Sequence, residues 1–300
     1  MSAALTARLR ALCAQAEEAA SGGPAYDEAR AITARLDSPL RVAIAGRVKA
    51  GKSTLLNALV GERLAPTDAG ECTRLVTWFK EGVGYGVQAH LRDGGAHELD
   101  FDRHDAALRI ELGGLDVDTV ERLEVSWPSS ALRRTTLIDT PGLAGHDEAA
   151  SHRAERFLGV EEDHASDADA VVYLMRHLHR RDAEFLETFV DRSIPHASPA
   201  TAIGVPSRAD ELGAGRPDAM ASAARIADRY STDHRVRAMC ATVVPVAGLL
   251  AETAQTLTEA EVASLRELAG LDVAAVDDLL VSADRFLAPA VPTPSISVRT

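Results

Sequence analysis

Lysine is nearly absent: of 32 basic residues, only Lys49, Lys52 and Lys80 are lysine and the other 29 are arginine. Such an arginine bias reflects genome composition and has no mechanism of its own. Aromatic residues make up only 4% of the 300 residues, and cysteine occurs three times, at Cys13, Cys72 and Cys240. An odd, widely spaced set without a Cys-x-x-Cys pair excludes a disulfide framework and a thiolate zinc site, and a reduced cytoplasmic compartment is the expectation. No apolar run approaches the roughly 20 residues a membrane span needs. The first 20 residues are interrupted by Arg8, Arg10, Glu17 and Glu18, unlike a secretory signal. Positive charge is also lacking. A net charge of −13 argues against a general nucleic-acid binder and against constitutive attachment to an anionic membrane.

The chain does have a 46% apolar fraction, enough for a buried core. Leu5, Leu9, Leu12 and Ala16 share one helical face, Ser21-Gly22-Gly23-Pro24 breaks that helix, and a second is expected over 25–36. LRVAIAG (40–46) reads as a buried strand, followed by a helix from Lys52 to Val60. Strands are expected at 74–79, 85–91, 120–128 and 135–139, whereas 96–118 has no clear period. After a helix at 147–165, strands at 168–175, 200–205 and 241–246 alternate with helices at 181–190 and 217–230. That alternation implies an α/β fold of three layers with a mainly parallel sheet, and the motif at 46–53 described next makes it a P-loop NTPase domain. Helices at 258–268 and 272–287 and a proline-rich tail expected to be disordered complete the chain. The division is 1–37 N-terminal helices, 38–250 central α/β domain, 251–288 C-terminal helices and 289–300 tail.

The strongest signal is GRVKAGKS (46–53), a match to G-x-x-x-x-G-K-[S/T] between a strand and a helix. Backbone N–H groups of Gly46, Val48, Lys49, Ala50, Gly51 and Thr54 would wrap a phosphate chain at the positive end of the helix. Lys52 would reach the terminal phosphates and Ser53 would ligate Mg²⁺. LIDTPG (137–142) ends a strand in Asp-x-x-Gly: Asp139 suits a water-mediated Mg²⁺ contact and the Gly142 N–H a γ-phosphate. This run resembles the third signature of G proteins. A switch threonine for Mg²⁺ is then expected between 61 and 80. Thr67 and Thr73 both qualify, with Thr73 preferred because it precedes a strand.

Guanine recognition ordinarily uses Asn/Thr-Lys-x-Asp after a strand, and Ser207-Arg208-Ala209-Asp210 stands at that place. Asp210 would accept from the guanine N1–H and 2-amino groups, with Arg208 covering the base. Ser207 and Arg208 depart from the pattern, which keeps an ATPase reading open. Ala247 and Gly248 would close the base edge. His177 and His179 have no ligand-spaced partners, and a solvated loop fits them better than a metal site. Glu161, Glu162 and Asp163 read as a solvated helix end.

GRVKAGKSTLLNALVGERLAPTDAGECTRLVTWF, LIDTPG and GVPSRADELGAGRPDAM together resemble the dynamin superfamily, and more narrowly the isoniazid-inducible dynamin-like GTPases of mycobacteria and their relatives. The resemblance covers residues 5–287. It implies a Mg²⁺-dependent GTPase that converts GTP to GDP, with Thr73 as switch threonine and helices from both chain ends forming a bundle beside the nucleotide domain. It also implies a homodimer through that domain, or a heteromer with a longer dynamin-like partner. Membrane contact would go through a region absent from this chain, with the protein cytoplasmic or peripheral at the inner face of the plasma membrane. The water-positioning glutamine that many small G proteins carry after Asp-x-x-Gly is here Leu143, and the one that dynamins use instead in the phosphate loop is here Val48. Slow hydrolysis is therefore expected, with the Lys49 ammonium either compensating charge on the transferring phosphoryl group or merely solvated at the loop tip. The competing expectation is a nucleotide-gated binding module that holds GTP with little hydrolysis.

Overall fold

The computed structural model describes residues 3–65, 71–104, 107–143, 148–158, 167–175, 201–212, 218–281 and 286. Two helices open the chain, α1 (Ala3–Ala20) and α2 (Pro24–Asp37). Pro24 starts α2, where its missing N–H costs nothing. The two pack against each other and bury Cys13 and Ala29. Arg35 near the end of α2 donates to Asp169 Oδ1 (2.9 Å) and to the Asp167 carbonyl (2.9 Å), fastening the helix pair to the next domain.

That domain begins with β1 (Leu40–Gly46) and α3 (Lys52–Val60). It continues through β2 (Val76–Glu81), β3 (Gly86–Leu91), β4 (Ala96–Leu99), β5 (Phe101–His104), β6 (Ala107–Ile110), β7 (Val120–Trp127) and β8 (Thr135–Asp139). After α4 (Glu148–Phe157) come β9 (Ala170–Met175), β10 (Ala202–Pro206), α5 (Ala219–Thr232), α6 (His234–Met239) and β11 (Thr242–Val243). Three helices follow, α7 (Gly248–Thr256), α8 (Glu259–Ala269) and α9 (Val273–Leu279).

Nine strands form one sheet in the order β11-β10-β9-β1-β8-β2-β7-β3-β4. The run from β11 to β8 is parallel; β2 enters antiparallel to β8, and β3 and β4 complete a mixed edge. β5 and β6 pair separately. Central strands such as β1 and β9 are apolar nearly throughout because helices cover both faces. One core, containing Leu55, Leu56, Phe79, Leu123 and Trp127, lies under α3. The other, containing Tyr173, Ala154, Ala227 and Met239, lies under α4 to α6.

The region 96–118 contains three strands of only four residues each, too short for alternation to mark them. Only Thr242–Val243 of the expected strand 241–246 is paired as one. The expected helix 181–190, the tail 289–300, Thr67, Glu161 to Asp163, His177 and His179 lie outside the described residues. Helix α7 straddles the expected boundary at 250/251 and packs on α3.

Candidate functional site

Parallel pairing brings the carboxyl ends of β1, β8, β9 and β10 to one edge of the sheet, where open α/β sheets bind ligands. The register sets Ile44 beside Asp139, Gly46 beside Leu174, and Pro206 beside Met175. The three candidate loops, 46–53, 139–143 and 207–212, therefore leave the same edge. β2 runs antiparallel to β8 with Thr77 beside Asp139. The half-buried Thr73, in the 3-10 turn Glu71–Arg74 just before β2, consequently emerges on that edge as well.

Two glycines are required for this closeness. A Cβ on Gly46 would stand 2.4 Å from the Leu174 carbonyl oxygen, and one on Gly142 would stand 2.5 Å from Val48 Cγ2 and 3.0 Å from Val48 Cα. Only bare backbone lets the phosphate loop pass β9 and lets the Asp-x-x-Gly turn lie on the loop. Leu143 donates its N–H to the Gly46 carbonyl (3.2 Å) and is itself buried. The position that lacks a carboxamide is thus a packing position that joins the two loops.

At the loop's end Gly51, left-handed (φ 95°), caps α3 and turns its first N–H groups outward. The half-buried Lys52 folds over the loop, donating to the carbonyls of Gly46 (3.3 Å) and Arg47 (3.4 Å). Burial lowers its pKa, and the nearby Asp139 carboxylate opposes that. Ser53 Oγ donates to Asp139 Oδ2 (3.0 Å), while Asp139 Oδ1 is buried with no partner. Burial raises the Asp139 pKa, against the pull of Lys52, the Ser53 hydroxyl and the Thr140 N–H. A partnerless buried carboxylate oxygen beside a hydroxyl is an incomplete polar site, and it fits a cation or its water shell. Among the described residues no three His, Cys, Asp or Glu side chains cluster as a metal site. A cation here would rest on hydroxyls and one carboxylate, as Mg²⁺ does when phosphates supply the rest.

Beside the phosphate loop lies a cavity of about 180 Å³. Ala50, Gly51 and Thr54 line one side, and Ser207, Arg208 and Asp210 line another. Gly248 completes it, and Leu249 and Glu211 join them, two lining residues that no motif indicated. Ala247 stands directly before α7 and is buried. Arg208 bridges the two loops: Nη2 donates to the Lys49 carbonyl (3.1 Å) and Nη1 to Glu211 Oε1 (2.8 Å). Lys49 (φ 62°) and Arg208 (φ 55°) are two of three non-glycine residues with positive φ among the described residues, and they bond to each other. Each pays about 1 kcal/mol for a left-handed backbone. Ser207 is held instead by the Met175 carbonyl, which its N–H meets at 2.9 Å.

Sequence motifs did not disclose the supports. Asn57, the chain's single asparagine, is buried in α3. Its Oδ1 accepts from the N–H groups of Leu64 (2.9 Å) and Ala65 (2.8 Å), and Nδ2 donates to the Ala65 carbonyl (3.4 Å). Arg63 Nε donates to the buried Glu252 carboxylate (3.0 Å), tying the start of the 61–80 stretch to α7. Thr140 Oγ1 donates to the Ile44 carbonyl (2.9 Å), holding the 139–143 turn on β1.

Known proteins resemble this chain over the same region. The profile described as the Dynamin family matches residues 42–199. The isoniazid-induced protein IniC of Mycobacterium tuberculosis is 42% identical over 294 residues, 96% of this chain and 59% of that protein. The bacterial dynamin-like protein of Nostoc punctiforme is 32% identical over 147 residues, 45% of this chain and 20% of that one. The chain therefore spans about three-fifths of IniC and a smaller share of the Nostoc protein. A solved oligomerised bacterial dynamin pair, described as a mechanism for long-range sensing and tethering of membranes, shares the fold. It covers 93% of this chain and 42% of its own at a TM-score of 0.51 and 16% identity.

Proposed function

We infer a GTP-hydrolysing switch from one premise: the chain belongs to the dynamin family of GTPases. The observation that carries this reading is the cavity shared by the phosphate loop and the 207–211 segment. A nucleotide laid across it would place its phosphates under the Lys49 to Thr54 N–H groups and its base against Arg208. Asp210 accepts from the guanine N1–H and 2-amino groups, a donor pair adenine lacks. The Gly142 N–H meets the terminal phosphate, and Lys52 leaves its two carbonyls for the phosphate oxygens.

Ser53 and Thr73 would hold Mg²⁺ through their hydroxyls, and Asp139 through water; its partnerless oxygen supports this. When bound, the ion neutralises charge on the β and γ oxygens. Lys49 is the residue assigned to compensate charge on the transferring phosphoryl group, in the place where a bound monovalent cation serves in dynamins that carry serine there. Its strained backbone, held by Arg208, keeps it at the loop tip.

A second reading has one observation in its favour. Val48 and Leu143, where water-positioning carboxamides would stand, are apolar, and Leu143 is buried. A binding module that holds GTP without turning it over fits that pair. Self-association through the nucleotide face, docking with a longer dynamin-like partner, a bundle of α1, α2 and the C-terminal helices, and a membrane task belong to this proposal. Self-association and the membrane task draw on the description of the oligomerised dynamin pair; the nucleotide-face interface, the longer partner and the bundle extend the family resemblance. No helix among the described residues is long and apolar enough to cross a membrane. Multiple-turnover phosphate release from GTP separates the readings, with Lys52→Ala as control. Release beyond one phosphate per chain, lost in Lys52→Ala, supports the enzyme; a single stoichiometric burst or none supports the module.

A further inference from the structure

Helix α4 follows the Asp-x-x-Gly turn in sequence, and its first two turns touch both segments that frame the nucleotide edge. Ser151 Oγ donates to the carbonyl of Gly142 (3.3 Å). Two residues on, Arg153 Nη1 donates to the carbonyl of Arg74 (3.3 Å), the residue after Thr73. The Arg153 side chain is only 9% exposed although it lies on a short, largely polar helix. Its other arm, Nη2, is ion-paired with Asp118.

Asp118, whose side chain is 75% exposed, is held in place through its backbone. It sits in a turn closed by its own N–H to Asp116 Oδ1 (2.9 Å) and by Thr119 Oγ1 to the Asp116 carbonyl (2.7 Å). Arg92 Nε also donates to the Asp118 carbonyl (3.0 Å). One arm of a planar fork therefore grips a fixed part of the sheet edge, and the other grips the turn that carries Thr73. A guanidinium holds both directions at once, which a lysine ammonium on a flexible stem does not.

We propose that Arg153 is a positioning residue that couples the Thr73 turn to the Gly142 turn through α4, so that metal and terminal phosphate are taken up together. This rests on the reading above, in which Thr73 and Gly142 meet the metal and the phosphate. Ser151 carries any shift of Gly142 into α4, and Arg153 carries it to the Arg74 carbonyl. Coupling of this kind is reciprocal and falls within about 5- to 150-fold in affinity.

The test uses the full chain and a fluorescent, non-hydrolysable GTP analogue titrated at a series of Mg²⁺ concentrations. Arg153→Gln removes both arms; Arg153→Lys retains the charge opposite Asp118 but gives up the fork. Both variants are expected to raise the half-saturating Mg²⁺ about tenfold, roughly 1.4 kcal/mol, with Mg²⁺-free GDP affinity unchanged. Amide exchange of residues 71–76 without nucleotide is expected to quicken in both, while exchange in the strand β1 core remains as in wild type. Wild-type Mg²⁺ dependence in Arg153→Lys overturns the coupling, as does wild-type exchange at 71–76 in either variant. A wild-type protein that binds the analogue without any Mg²⁺ dependence overturns the underlying reading instead, and that result is visible before any variant is made.

Discussion

Replacing Arg208 by alanine severs the bridge between the base-side and phosphate-side loops, and its cost can be worked from the contacts. The hydrogen bond to the Lys49 carbonyl is charge-assisted, a class that contributes about 1.5–3 kcal/mol when buried. The Arg208 side chain is 36% exposed, so solvent screening reduces this to about 1 kcal/mol. Its ion pair with the 57% exposed Glu211 adds at most about 0.5 kcal/mol. The Lys49 backbone, left-handed at about 1 kcal/mol of strain, is then free to relax away from the phosphate-binding shape. Arg208→Ala is thus expected to weaken GTP-analogue binding about tenfold, measured by equilibrium titration with a fluorescent analogue. With a GDP analogue, which has no transferring phosphoryl group for the Lys49 ammonium to meet, adding Lys49→Gly, which adopts a positive φ without penalty, is expected to recover several-fold of that loss. Binding within twofold of wild type in Arg208→Ala, or no recovery in the double variant, refutes this account of the loop.

Other positions give further tests. Gly46→Ala places a Cβ 2.4 Å from the Leu174 carbonyl and is expected to cost about 3 kcal/mol or more in a denaturant melt. Asn57→Ala leaves two buried N–H groups without their acceptor and is expected to cost about 3 kcal/mol, lowering the melting temperature by roughly 6–10 °C. Burial holds the Asp139 pKa above its unfolded value. The folded chain therefore binds that proton more tightly, and the group's contribution to stability falls as pH rises from the unfolded pKa through the folded one. Asp139→Asn removes that penalty and is expected to melt slightly higher than wild type at pH 7 without nucleotide, while losing Mg²⁺-dependent binding. A lower melt for Asp139→Asn contradicts the assigned cause.

How far the sequence carried depended on whether a feature is local. Gly46 to Ser53 lie between a strand and a helix that the residues themselves specify, so the loop was legible, as were Asp139, Gly142 and the 207–210 segment after their strands. The supports were not, because each joins residues far apart in the chain: Asn57 in α3 with the 61–65 turn, Arg63 with Glu252, Arg153 with both Arg74 and Asp118. An arginine on an amphipathic helix looks solvated until the fold shows it buried. Leu143 looked only like a missing glutamine, whereas its N–H joins the Asp-x-x-Gly turn to Gly46. Short strands β4 to β6 escape because each is only four residues long, too short for alternation to mark it.

The proposed switch requires a guanine nucleotide in the cavity between the phosphate loop and Asp210. Competition of unlabelled GTP and ATP against a fluorescent GTP analogue, on wild type and on Asp210→Ala, tests it most directly. GTP is expected to displace the analogue at least a hundredfold more effectively than ATP on wild type, two guanine hydrogen bonds being worth roughly 3 kcal/mol. The preference is expected to collapse in Asp210→Ala. Equal displacement by ATP and GTP on wild type contradicts it.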